Sequence, residues 1–267
     1  MRDTNTIASI RETSRIWAVG AVHGDVARLR AIHDELEPLL RLGDVLVYLG
    51  NYLGYGEAIV ETVDELLSFR RRVLAHPPLR FPDDIVYLRG NQEEMWQKLL
   101  QLQFASDPVS ILNWVLSRGV DATLRAYGGS AKDGTYAASG GPIQLNNWTR
   151  TLRDAQRAHA GHDTLLAQLK RAAACDDGSL LFVNCGLDPQ RPLAAQSDAF
   201  WWAARSFEGI NAPYEGFARI VRGYDPDHGG FRQADFTVTL DGGCGFGGNL
   251  MVACFAPDGS IIDKLEC

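Results

Sequence analysis

Five short segments carry the side chains able to do chemistry. They are Gly20-Ala21-Val22-His23-Gly24, Gly50-Asn51-Tyr52-Leu53-Gly54-Tyr55-Gly56, Gly90-Asn91-Gln92-Glu93-Glu94, Asn184-Cys185-Gly186-Leu187 and Gly223-Tyr224-Asp225. One histidine, His23, and four amides, Asn51, Asn91, Gln92 and Asn184, dominate the set. A carboxylate can bridge two cations and offset their charge, whereas a neutral amide does so poorly. Nor does an amide give up a proton at neutral pH. The set points to a hydrogen-bonded polar cluster that needs no ion. Tyr52, Tyr55 and Tyr224 either line a pocket for a ring or sugar or plug the space between the segments. Arg89 and Arg222 are the neighbours able to attract an anion; a surface or salt-bridged role is the competing reading.

Each segment follows an apolar run that reads as a buried strand: residues 16–20, 44–49, 85–88, 179–183 and 218–221. Helical spacing follows the first three, with Val26, Leu29, Ile32, His33 and Leu36 on one face and Asp25 as N-cap, then residues 57–69 and 93–104. A repeated strand–loop–helix unit predicts an α/β protein that gathers these loops at the carboxyl ends of its strands. Residues 105–175 predict a helical insertion, with helices over 109–116 and 152–173 and a Gly- and Ser-containing stretch over 128–141. From residue 236 onward, alternation and turns predict strands and hairpins. Residues 1–15 read as a loose polar arm before one domain over 16–267.

With 267 residues, 46% hydrophobic and 22% charged, the composition is that of a globular protein with a full core. The net charge of −7 argues against general nucleic-acid binding. No apolar stretch is long enough for a membrane span. Met1 to Thr6 carries no apolar run after its basic residue, so no secretory signal is expected. The five cysteines, Cys175, Cys185, Cys244, Cys254 and Cys267, form no CxxC pair. Free thiols in a cytoplasmic setting are the expectation. Cys185 reads as a core thiol, His159 and His162 with Asp163 as at most a weak metal pair, and residues 242–248 as turns rather than a phosphate loop. Phe200-Trp201-Trp202 reads as core packing, with any exposed part available as a partner anchor.

The five segments, in this order, resemble the calcineurin-like metallophosphoesterases, specifically the bacterial serine/threonine protein phosphatases and their diadenosine-tetraphosphatase relatives. That family carries GDxHG, GDxxDRG, GNHE, HAG and GHT. The likeness extends to residues 187–202 and to the segment Leu240-Asp241-Gly242-Gly243-Cys244 with Gly248-Asn249-Leu250. It implies an αββα sandwich of two mixed β-sheets flanked by helices, with the helical insertion, and in the family two divalent metals such as manganese or iron. Carried over by position, the first metal-binding Asp falls on Ala21, the GDxHG histidine on His23 and the bridging Asp on Asn51. The Asn of GNHE is Asn91 and its proton-donating histidine is Gln92. The HAG histidine falls on Asn184, the GHT histidine on Tyr224, and the Asp and Arg of DRG on Gly54 and Tyr55. Two of six ligand positions keep their residue, and the acid and the phosphate-orienting arginine are gone with the metals.

The expectation is a pseudophosphatase with no metal cofactor, binding an unidentified protein or phospho-ligand in a regulatory role. The rivals are a phosphoester hydrolase with altered metal use and a structural or oligomeric protein.

Overall fold

The computed structural model describes residues 6–11, 13–76 and 81–267. Eleven strands are described: β1 (Ile7–Ile10), β2 (Arg15–Val19), β3 (Asp44–Tyr48), β4 (Ile85–Tyr87), β5 (Ala172–Cys175), β6 (Leu180–Val183), β7 (Arg219–Arg222), β8 (Gly230–Gln233), β9 (Thr237–Asp241), β10 (Met251–Phe255) and β11 (Ile261–Glu266). They form two mixed sheets, ordered β1-β5-β6-β7-β9-β8 and β11-β10-β2-β3-β4. Alternation along the strands explains the layering. Ile16 and Ala18 of β2 join Val45, Val47, Phe182, Val221 and Phe255 in the core between the sheets. Trp17 and Val19 point the other way, into the helix-covered core. A strand buried on both faces is apolar at nearly every position, as β3 is. Each fully buried large side chain contributes roughly 1.5–3 kcal/mol.

Helices α1 (Val26–Leu36), α2 (Ile59–Ala75) and α3 (Asn91–Leu100) share the core on the outer face of the five-stranded sheet. Asp25 caps α1 by accepting from Arg28 N. Five further helices form the insertion: α4 (Pro108–Val115), α5 (Asp121–Ala126), α6 (Ala131–Ser139), α7 (Pro142–Ala158) and α8 (His162–Gln168). A wide turn, Leu116–Val120, joins α4 to α5. Helices α9 (Ala199–Trp202) and α10 (Ala204–Glu208) cover the six-stranded sheet, where Phe200, Trp201 and Phe207 pack on Leu181, Val183 and Ile220. No described helix is long and apolar enough to cross a membrane.

Three expectations are corrected. Ile7–Ile10, placed in a loose arm, is instead an edge strand parallel to β5, because Ile7 and Ile10 find buried positions; residues 1–5 and 12 of that arm lie outside the described residues. The stretch 128–141 contains α6, which Ser130 starts by accepting from Asp133 N. The helix expected over 152–173 begins at Pro142 and ends at Ala158, and Ala172–Cys175 is a strand. It pairs with β1 and β6, and its side chains alternate between the core between the sheets (Ala173, Cys175) and the core of the outer face (Ala172, Ala174). Strand β8 carries no alternation that would have announced it.

Candidate functional site

Strands β2, β3 and β4 run parallel, as do β6, β7 and β9, so their carboxyl ends open on one side. Backbone bonds tie the loops together there. Ala21 N donates to Gly223 O at 2.9 Å, His23 N to Asn51 O at 2.7 Å, and Gly223 N to Asn184 O at 3.0 Å. Thus Ala21, His23, Asn51, Gly54, Tyr55, Asn91, Gln92, Asn184 and Tyr224 all converge.

Hydrogen-bond direction sets what the cluster can do. Asn51 Oδ1 accepts from Gln92 N at 3.2 Å, so its Nδ2 is the atom facing His23 Nε2, at 3.5 Å. Assigned from this contact, the amide donates, His23 Nε2 accepts, and the proton of the neutral imidazole falls on Nδ1, which is buried without a partner. Asn184 is spent internally: Nδ2 donates to Leu49 O at 2.8 Å and Oδ1 accepts from Asn91 N at 3.2 Å. Gln92 Nε2 donates to Arg118 O at 2.9 Å, while its Oε1 packs against Gly54, where a Cβ would come within 2.1 Å of it. Ala21 offers no ligand atom. Asn91 Oδ1 is buried without a partner. The residues do not fit a two-metal centre: the one histidine lone pair faces an amide donor, and the uncommitted oxygens, Asn91 Oδ1 and Gln92 Oε1, are neutral amide oxygens that cannot offset the charge of two cations. Among the described residues no group of three His, Cys, Asp or Glu side chains could hold a metal ion.

Aromatic rings close the cluster. His23, wholly buried, meets Tyr55, Tyr224 and Phe246 edge-on, with centroids 5.5, 5.5 and 5.1 Å away. Phe246 comes from the glycine-rich 242–248 turns, and Gly245 lies so close to the His23 Cβ that a side chain there would clash. Of the two readings for the tyrosines, Tyr55 and Tyr224 cover the histidine. Tyr52 is buried apart from them, donating to Leu88 O at 2.8 Å.

Burial lowers the His23 pKa to about 4, against an opposing pull from Asp241. The unfolded chain then binds more protons between pH 4 and the ordinary 6.5. The stability associated with neutral His23 is therefore full above pH 6.5 and is lost as pH falls toward 4, by about 3 kcal/mol in all. A proton NMR titration should give a His23 midpoint near 4; a midpoint at 6.5 would mean that the rings do not seal it.

Two groups that pattern reasoning did not single out hold the site in shape. Glu93 is buried, and its carboxylate accepts from four backbone N–H groups: Asn51, Tyr52, Leu53 and Gly90, at 2.8–3.0 Å. Burial raises its pKa, opposed by those bonds. Its place in the first turn of α3, three residues past Gly90, is the helix-entry signal that could have flagged it. Asp241 accepts from Asp225 N at 2.8 Å, Gly243 N at 2.9 Å and His228 Nδ1 at 3.0 Å, and so raises the His228 pKa.

Other candidates lie outside the cluster. Arg89 pairs with Glu94 at 3.2 Å. Arg222 is fully buried and pairs with Glu208 and with Asp225, the latter at 3.3 Å, while its Nε donates to Thr239 at 2.9 Å. Both guanidinium groups are thus committed to carboxylates. His162 is bound on both nitrogens, to Tyr127 at 2.8 Å and Asp64 at 3.1 Å, which leaves no lone pair for a metal shared with His159. Burial pushes the Cys185 thiol up to about 12, against nucleophilic use.

No protein-family model matches the chain, and no curated protein matches it. Solved structures do. One described as "a putative diadenosine tetraphosphatase" superposes with a TM-score of 0.56 over 98% of both chains, at 20% identity. A hypothetical protein from Pyrococcus horikoshii OT3 gives 0.52 at 13% identity, over 94% of this chain and 87% of that one. A metallophosphoesterase from Sphaerobacter thermophilus gives 0.43 at 17% identity, over 96% and 88%. The first two share this chain's fold, two mixed β-sheets flanked by helices.

Proposed function

We propose that this chain is a pseudophosphatase, a phosphatase-fold protein that works by binding rather than by metal-assisted hydrolysis. The observation that carries this reading is the Asn51 amide turned with its N–H toward His23 Nε2. A donor occupies the direction from which a cation would take the lone pair. The Asn184 amide knits loops through both its atoms, and the Gln92 amide nitrogen ties to the Arg118 carbonyl. Two-metal hydrolases depend on their ions to generate hydroxide and to clamp phosphoryl oxygens. Losing one transition-state donor alone can cost ~10²–10³ in rate. Here ligands, acid and arginine are replaced together, although such losses need not add.

The test is a calorimetric titration of chelator-treated protein with manganese, alongside an assay with p-nitrophenyl phosphate. The expected result is no binding up to millimolar metal and no manganese-dependent turnover. Micromolar binding of one or two ions, lost in His23→Ala together with measurable hydrolysis, would transfer the argument to a hydrolase with substitute ligands.

A further inference from the structure

Exposed aromatic side chains from four separate parts of the chain form a continuous strip across the mouth of the site. Trp202 of α9 packs on Trp114 of α4, ring centroids 5.6 Å apart. The Arg118 guanidinium lies over Trp114 at 5.2 Å. Gly119 follows at φ 94°, and a Cβ there would come within 2.7 Å of the Tyr55 ring. Tyr55 meets Phe246 at 4.4 Å, and Phe246 meets His228 at 4.2 Å. Trp202, Trp114, Tyr55 and Phe246 remain between 36 and 43% exposed.

The strip is held in place. Tyr55 N donates to Gly119 O at 3.2 Å, and Gln92 Nε2 donates to Arg118 O at 2.9 Å. The turn between α4 and α5 leaves helical geometry at Arg118 and Gly119. Here it sets an exposed arginine between a tryptophan and a tyrosine. Trp, Tyr and Arg are the residues that anchor interfaces. Charge narrows the partner. His228 is paired with Asp241, and Arg89 and Arg222 with their own carboxylates. Among the described residues no carboxylate lies within ion-pair distance of Arg118, so the positive charge at the centre of the strip is unspent.

We propose that the strip Trp202–Trp114–Arg118–Tyr55–Phe246 is a docking surface for an acidic peptide segment of a partner protein, one that also carries an aromatic side chain. A carboxylate of that segment meets Arg118, and its ring packs on the exposed part of the Trp114–Trp202 pair beside it. This rests on the binding reading above, yet the two fail separately. Manganese uptake would remove the metal-free reading without altering this affinity, and absent peptide binding would leave the metal result standing.

The probe is a fluorescein-labelled random copolymer of Glu and Tyr, followed by anisotropy against the full chain. Unlabelled polyglutamate and a Lys/Tyr copolymer serve as competitors. Arg118→Glu and Trp114→Ala are expected to weaken binding tenfold or more, a hot-spot-sized loss. Arg118→Lys should stay within about threefold, because the charge persists over the ring. Arg118 is exposed, so its variants report on the surface even if Trp114→Ala folds poorly; circular dichroism checks each. The Lys/Tyr copolymer should not compete, and polyglutamate should compete weakly. Unchanged affinity in Arg118→Glu, equal competition by the Lys/Tyr copolymer, or no binding at millimolar protein would overturn the proposal. So would a dimer in sedimentation that Phe246→Asp dissociates, since the occupant would then be a second copy of this chain.

Discussion

Glu93→Ala should be the most damaging single substitution at the site, lowering folding stability by about 4 kcal/mol. Four backbone N–H groups, from Asn51, Tyr52, Leu53 and Gly90, converge on this one carboxylate. Removing it leaves buried donors without an acceptor, at roughly 1–3 kcal/mol each before water enters and the loop relaxes. The 51–56 loop carries Asn51 and Tyr55, so the aromatic cover over His23 should loosen with it. Two measurements check this. Urea unfolding should show a large fall in midpoint, and the His23 titration should move up from about 4 toward its ordinary 6.5. Glu93→Gln should cost less, since one amide oxygen still accepts while the –NH₂ faces donors. A loss below about 1 kcal/mol in Glu93→Ala, a size common for surface changes, would mean that other contacts hold the loop.

Arg222→Ala should destabilise by about 3 kcal/mol or more, the cost of breaking a buried ion pair from one side. Arg222 is fully buried, with its guanidinium over the Phe207 ring at 4.3 Å and bonded to Thr239, Asp225 and Glu208. Removing it leaves Asp225 buried with Arg232, among the described residues, as its counter-charge, and Asp225 adjoins Tyr224 at the end of β7. Arg222→Lys should recover only part of the loss, because an ammonium cannot reproduce the planar fork. Denaturant midpoints distinguish this structural role from an anion-binding one. If Arg222 served a ligand, its loss would leave the midpoint nearly unchanged and remove anion affinity instead.

Much of the fold was legible because its signals are local. The apolar runs ending in glycine became β2, β3, β4, β6 and β7, and the Asp25 cap and the apolar stripe of α1 appeared as expected. Local signals failed where pairing is remote. Ile7–Ile10 is too short to announce itself and becomes a strand only because Ala172–Cys175 lies beside it. Ala172 and Ala173 in turn looked helical, since alanine favours helices wherever packing does not decide.

At the site, the residue types were available from the sequence: an alanine, a tyrosine and amides at the positions that the resemblance aligned with metal ligands. Types decide which atoms a side chain can offer, so the poor fit to cations was legible without coordinates. Only the tertiary structure decided which way each amide turns, because that depends on neighbours such as Gln92 N and Leu49 O, brought together by the two sheets. It also decided which cations are spent. Arg222 and Arg89 looked available in the chain and are neutralised in the fold, whereas Arg118, unremarked in the chain, is carried to Tyr55 by the insertion. Charge and aromatic character belong to the residue; partnership and exposure belong to the packing of segments far apart in the chain.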